Sequence, residues 1–292
     1  MRNFAEKGGA CHTARAYASR MSYAHIEGAK VHYAHRPGGD RAVVFLHGGF
    51  GSSSELWERA MHALPPEYSG YAIDNFLRSD PPPGGYSVPG FARRVGGFIE
   101  ALGLKRPVLV GHSMGGVTIQ LTAIGFPDRV GGLVLVCTGP AMTNHDAARR
   151  WLAELRANGH KLETIREISS NWFHRPVTEF FEGYVLRAAS APLDAMISVQ
   201  ASLIETDLRS RLREIRVPAL VVFGKHDTGR TIEHAQALLD GIPDSRLATM
   251  HESGHSPMIE TPREFDAAFH AFLDKLPWEH TASRQSIEEG GR

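Results

Sequence analysis

The sequence predicts an α/β fold: an eight-stranded, mostly parallel sheet with helices on both faces, plus an all-helical insertion late in the chain. Three observations predict it. Short, continuous apolar runs alternate with helix-period segments, the pattern of strands buried on both faces between crossover helices. One run ends in Gly111-His112-Ser113-Met114-Gly115 and passes at once into a helix pattern. Between Gly139 and Arg213 the alternation stops, and only helix patterns remain.

The elements follow in order. Ser22–Ile26 and Lys30–His35 read as an opening strand pair, with Glu27-Gly28 as the turn. Ala42–Leu46 is an apolar run that ends in His47-Gly48-Gly49-Phe50-Gly51-Ser52. A helix pattern follows (Leu56, Ala60, Met61, Leu64) and is closed by Pro65-Pro66. Tyr71–Ile73 is a short strand leading to Asp74, and a proline-rich loop (Pro81–Tyr86) precedes a helix over Val88–Leu102. Val108–Val110, Gly132–Cys137, Val217–Phe223 and Arg246–Met250 complete the strands, with helices over Ile232–Leu239 and Pro262–Leu276. The insertion reads as helices at Asp146–Ala157, Leu162–Ser170, Val177–Ala188 and Leu193–Thr206. The expected organisation is a core of residues 21–138 and 214–277, a helical cap over 139–213, and tails without fixed structure at 1–20 and 278–292.

Composition limits the function. The 292 residues are 42% hydrophobic, enough for a full core. Lysine plus arginine equals aspartate plus glutamate at 32 each, so no basic excess points to nucleic acid or to an anionic membrane. No apolar stretch approaches the ~18–20 residues of a membrane span. Residues 1–20 lack the apolar centre of a secretory signal, and a cytoplasmic protein is expected. Two cysteines, Cys11 and Cys137, make no disulfide framework, and Cys137 reads as a buried thiol. Of the sixteen histidines, His251 and His255 have zinc-helix spacing, but Glu-Ser-Gly between them reads as loop, and no metal site is expected.

The strand–turn–helix context turns the glycine–serine pattern into chemistry. A serine on a tight turn between strand and helix is lifted out of the sheet, and glycines on either side avoid collisions. The helix that follows aims free N–H groups at the same point, where they suit a developing oxyanion. A serine hydroxyl needs a base in hydrogen-bond reach and a carboxylate to orient that base. After strand ends stand Asp227, in Gly-Lys-His-Asp, and His255, in Glu-Ser-Gly-His-Ser-Pro. Asp227 as a simple turn aspartate and His255 as an ordinary loop histidine are the competing readings. Asp74 and Asp80 are rival acids that precede the serine.

On these residues the chain resembles the α/β-hydrolase superfamily, its serine-nucleophile branch with a helical cap, over about Ser22–Leu276. Gly111-His112-Ser113-Met114-Gly115-Gly116 is similar to the family's serine elbow, Gly254-His255-Ser256-Pro257-Met258-Ile259-Glu260 to its histidine loop, and His47-Gly48-Gly49 to its oxyanion turn. The order Ser113, Asp227, His255 is that of the family. The resemblance implies an oxyanion hole from the N–H groups of Met114 and Gly49, with Phe50 as the competing second donor. The family's alternative acid position, at Thr138-Gly139, holds no carboxylate. Asp74-Asn75-Phe76-Leu77-Arg78-Ser79-Asp80 departs from the family's glycine-rich turn and is expected to bring Phe76 and Leu77 to the pocket.

Serine at the elbow implies an acyl-enzyme that needs no cofactor or metal. Hydrolysis of a carboxylic ester or lactone of small to medium apolar type is expected. The alternatives are carbon–carbon bond hydrolysis of a vinylogous diketone, or a non-catalytic ligand-binding relative. The expected pocket residues are Phe50, Phe76, His112, Trp151 and Trp172; His112 itself is expected to point into the sheet without a catalytic role. Arg78, Arg175 and Arg187 are candidates to hold a substrate carboxylate, with plain solvation the competing reading. The expected partner is a small-molecule substrate, and homodimer formation stays open.

Overall fold

The computed structural model describes residues 20–49, 52–142, 146–175 and 178–278. Eight strands form one sheet: β1 (Arg20–Ile26), β2 (Ala29–Arg36), β3 (Arg41–Leu46), β4 (Tyr68–Ile73), β5 (Val108–His112), β6 (Gly132–Val136), β7 (Ala219–Gly224) and β8 (Ser245–Met250). Their order is β1-β2-β4-β3-β5-β6-β7-β8. The β1–β2 and β2–β4 pairs are antiparallel, and β4, β3 and β5 to β8 run parallel.

Continuous apolar strands arise because both faces are covered. Val44, Leu46, Leu109, Leu133, Leu135 and Val221 bury against one face, with α2 (Val88–Ala101), α3 (Met114–Gly125) and α8 (Ile232–Gly241). Their neighbours in sequence, Val43, Phe45, Val108, Val110, Val134 and Val222, turn to the other, under α1 (Glu58–His62) and α10 (Pro262–Leu273). Side chains alternate along a strand, so a strand buried on both faces must be apolar at every position.

Among the described residues four α-helices lie between β6 and β7, followed by a short 3-10 helix at Arg209–Glu214. The four are α4 (Asp146–Asn158), α5 (Leu162–Ser170), α6 (Thr178–Ser190) and α7 (Leu193–Glu205). They hold a core of their own around Leu155, Ile165, Ile168, Phe181 and Val185. The chain leaves and returns at one neck, where Ala141 bridges Asp207 and the Leu208 N–H donates to Pro140 O at 2.9 Å.

Differences from the sequence expectation are local. The strand expected over Tyr71–Ile73 begins at Tyr68; Ser69 and Gly70 break the apolar run because Gly70 sits against Met61 and Leu64 and the Ser69 hydroxyl donates to Gly39 O. A short helix, α9 (Pro257–Glu260), was not expected. The tails lie almost wholly outside the described residues. At their inner edges, Arg20 pairs with His35 in β1, and Trp278 packs edge-on to Tyr68 with its indole N–H on Leu273 O. No helix among the described residues is long and apolar enough to cross a membrane.

Parallel strands bring the loops after β3, β4, β5, β6, β7 and β8 to one edge of the sheet. After β3 the chain crosses to β4 on one side and later to β5 on the other. A crevice opens beyond the strand ends where the direction of winding reverses. The His47–Gly49 turn and Ser113 flank that point.

Candidate active site

Ser113 stands between β5 and α3 with φ 52° and ψ −114°. This is a left-handed conformation that costs a non-glycine residue about 1–3 kcal/mol. Its surroundings hold it there. The Ser113 N–H donates to Val136 O at 2.9 Å, and the Thr138 hydroxyl donates to Ser113 O at 2.7 Å. A side chain at Gly111 would strike the Gly115 carbonyl, and one at Gly115 would strike the carbonyls of Leu46 and His47. The two glycines of the motif are therefore places of backbone-to-backbone contact. Met114 opens α3, so its N–H has no acceptor within the helix.

The acid and histidine loops are joined before their side chains meet. Lys225 N–H donates to Met250 O and His226 N–H to Ser253 O. Gly224 makes the approach possible, since a Cβ there would overlap the Gly254 carbonyl. His255 Nδ1 then lies 2.7 Å from Asp227 Oδ2. The other Asp227 oxygen accepts from the Gly229 and Arg230 N–H groups at 2.8 and 2.9 Å. Burial pushes the Asp227 carboxyl upward, but the charge and hydrogen bond of His255 and the two N–H donors outweigh it and hold it below the usual range. A carboxylate on Nδ1 fixes a ring proton there and directs Nε2 away from it, the arrangement in which Nε2 can take a proton from a nearby hydroxyl.

His112 lies beside His255, ring centroids 4.6 Å apart, and its Nε2 meets His255 O at 2.8 Å. It borders the cavity rather than pointing into the sheet, and burial pushes it down to about 3, so it stays neutral. His47 is buried and neutral too, with Nδ1 on Gly48 O at 2.7 Å and Nε2 accepting from the Asn75 N–H at 2.9 Å. These bonds hold the turn that ends at Gly49.

A cavity of about 350 Å³ lies over these groups, with Gly49, Ser113, Met114 and His255 at its base. The inserted helices and their connections supply Trp151, Trp172, Phe173, Tyr184, Gln200 and Leu203. Trp172 packs edge-on to Trp151 at 5.7 Å, and its carbonyl accepts from the His255 N–H at 3.1 Å. Trp151 and Trp172 thus line the cavity.

Phe76 does not. It is 5% exposed and packs in the core against His47, Phe91 and Tyr86, because the Asp74 carboxylate accepts the N–H groups of Phe76 and Leu77 and folds the loop inward. Leu77 packs on the inserted helices instead. Phe50 lies outside the described residues. The arginines singled out in the sequence are engaged elsewhere: Arg78 and Arg187 pair with Glu55, and Arg175 with Glu252. Cys137 is buried behind the site, and burial pushes its thiol far up, which keeps it inert.

Sequence reasoning missed Arg230, His234, Gln200 and Tyr184 in the lining, and the work of Glu260. One Glu260 oxygen accepts from the N–H groups of Gly254 and Ser256, on both sides of His255. The other accepts from His174 and Arg175 of the insertion. The spacing from His255 to Glu260 was visible, but its backbone partners were not. Glu260→Ala is expected to lower kcat about 10- to 100-fold by loosening His255 while serine labelling persists, and Glu260→Gln to restore part of the rate. A rate within twofold of wild type for Glu260→Ala would remove this positioning role.

Residues 43–268 match the Alpha/beta hydrolase family. The chain is 29% identical over 267 residues to 2-hydroxy-6-oxo-6-phenylhexa-2,4-dienoate hydrolase of Comamonas testosteroni, covering 83% of this chain and 91% of that one. It is 24% identical over 253 residues to 3-oxoadipate enol-lactonase 2 of Acinetobacter baylyi, covering 84% and 94%. Its fold superposes on an esterase from Exiguobacterium antarcticum with a TM-score of 0.79 at 22% identity, covering 87% of this chain and 99% of that one. The parallel sheet, the serine elbow and the family match together make the chain a hydrolase that belongs to the alpha/beta hydrolase family.

Proposed function

We propose that the protein hydrolyses a carboxylic ester or lactone through an acyl-enzyme on Ser113. The observation that carries the reading is the buried Asp227–His255 hydrogen bond, on the wall of the cavity that Ser113 enters from its strained turn. In this reading His255 takes the Ser113 proton as the hydroxyl attacks the carbonyl carbon. The carbonyl oxygen, now negative, rests on the N–H groups of Met114 and Gly49. A side chain at Gly49 would meet nothing within 4 Å, so the turn leaves its backbone open to the cavity. The tetrahedral intermediate collapses as His255 returns the proton to the leaving oxygen. A water then repeats the sequence on the acyl-enzyme and releases the acid. Each oxyanion donor is worth roughly 10²–10³ in rate. Residues 139–213 act as a cap that closes the site, over a core of 21–138 and 214–277.

The Acinetobacter relative, by its name an enol-lactonase, supports lactone chemistry. The Comamonas relative, by its name a hydrolase of a phenylhexadienoate, favours the second reading, hydrolysis of a carbon–carbon bond in a vinylogous diketone. Either reaction on this chain would use Ser113 and His255.

The test is a panel of an alkyl ester, a five-membered lactone and a vinylogous diketone acid, with turnover followed for each on the full chain. Turnover of ester or lactone at least 10-fold above the diketone is expected. Turnover of the diketone alone would replace this reading with carbon–carbon hydrolysis.

A further inference from the structure

The cavity holds hydrogen-bond donors that no described residue satisfies. Arg230, three residues after Asp227, is 4% exposed and lines the cavity, and its Nε has no hydrogen-bond partner among the described residues. The charge that acts on it most favourably is Asp227, whose carboxylate oxygens are already engaged by His255, Gly229 N–H and Arg230 N–H. Gln200, from α7, is 6% exposed, and its side-chain N–H₂ also lacks an acceptor. His234, on the first turn of α8, is close enough to Arg230 for their charges to interact, and its Nε2 is buried without a partner. All three border the cavity that Ser113 enters, and no aspartate or glutamate lines it among the described residues.

A buried guanidinium is unfavourable unless an acceptor meets it. Two unsatisfied donor side chains, Arg230 and Gln200, and no acidic wall describe a place for an anion. A planar guanidinium suits a carboxylate, which accepts two N–H bonds side by side. Met142, Ala147, Ala148 and Leu203 supply apolar lining in the same cavity. A substrate with one reacting carbonyl, an apolar spacer and a remote carboxylate matches that lining.

We infer that Arg230, with Gln200, forms a carboxylate-binding subsite, and that the substrate is an ester or lactone carrying a second, free carboxylate. The substrate half of this inference rests on the Ser113 reading above; the anion-binding half does not.

The experiment separates the two. Monomethyl adipate and methyl hexanoate present the same ester on chains of similar length, one ending in a carboxylate and the other in a methyl group. Wild type is expected to favour the hemiester in kcat/KM by roughly 10- to 100-fold, the value of a charge-assisted pair, mainly through KM. In Arg230→Gln that preference should collapse, and Arg230→Lys should keep part of it. Gln200→Leu should reduce it several-fold, which provides a second reading if Arg230→Gln folds poorly. A wild-type preference for methyl hexanoate overturns the subsite. So does an equal loss on both esters in Arg230→Gln, since Arg230 would then act only through Asp227. Binding of adipate itself to Ser113→Ala, by calorimetry, is the arm independent of chemistry. Adipate binding that Arg230→Gln abolishes, without hydrolysis of either ester by wild type, would sink the Ser113 reading and keep the subsite. Absence of adipate binding to Ser113→Ala sinks the subsite whatever the esters do.

Discussion

Ser113→Ala is expected to lower ester kcat/KM by roughly 10⁵-fold or more, leaving what the oxyanion donors and binding alone supply. A fluorophosphonate should label the wild type at Ser113 and spare the variant. Equal labelling of both proteins, or a loss of less than 10-fold, would remove Ser113 from the mechanism. The same position offers a second readout. With φ at 52°, the serine is held in a conformation that glycine adopts freely, so Ser113→Gly is expected to melt above Ser113→Ala, by about 1 kcal/mol of added stability. Stability gained where activity is lost is the mark of strain kept for function.

Asp227→Asn is expected to cost roughly 10⁴ in kcat, with little change in fold. The asparagine oxygen can still accept from the Gly229 and Arg230 N–H groups, so the loop keeps its shape. Its amide, set toward His255 Nδ1, donates where the carboxylate accepts, and the imidazole is then driven to the tautomer with its proton on Nε2. That nitrogen faces the serine with a proton instead of a lone pair. A circular-dichroism spectrum like that of wild type, with the rate loss, identifies the cause as the tautomer. A loss under 10-fold would leave Asp227 a turn residue and reopen Asp74, which is buried but committed to the N–H groups of its own loop.

How far the sequence reached varies with the kind of feature. Strands such as Val108–Val110 were legible because burial on both faces removes polar residues from every position. Ser113 was legible because its neighbours must be glycine for backbone to touch backbone. Phe76 was misread. Hydrophobicity told that it would be buried, and nothing local told whether that meant the cavity or the core. Asp74 decides this by accepting two N–H groups and turning the loop toward α2. Arg230 was missed for the opposite reason: an arginine in a polar turn looks solvated, and only the tertiary fold buries it on the cavity wall with its Nε unpartnered among the described residues. Glu260 belongs to the same class, since two of its four N–H partners, those of His174 and Arg175, come from the distant insertion.

By itself the sequence determined the parallel sheet, the helical insertion and the elbow, because each is dictated by local rules of side-chain period, glycine contact and strand burial. It also placed Asp227 and His255 after strand ends, and therefore at one edge of the sheet. Only the tertiary structure decided that these two side chains meet at 2.7 Å, and that Gly224 lets their loops touch. It alone decided that Arg230 lines the cavity. The reason is physical: a hydrogen bond or an unpaired charge depends on residues far apart in sequence, and chain order carries no record of their distance.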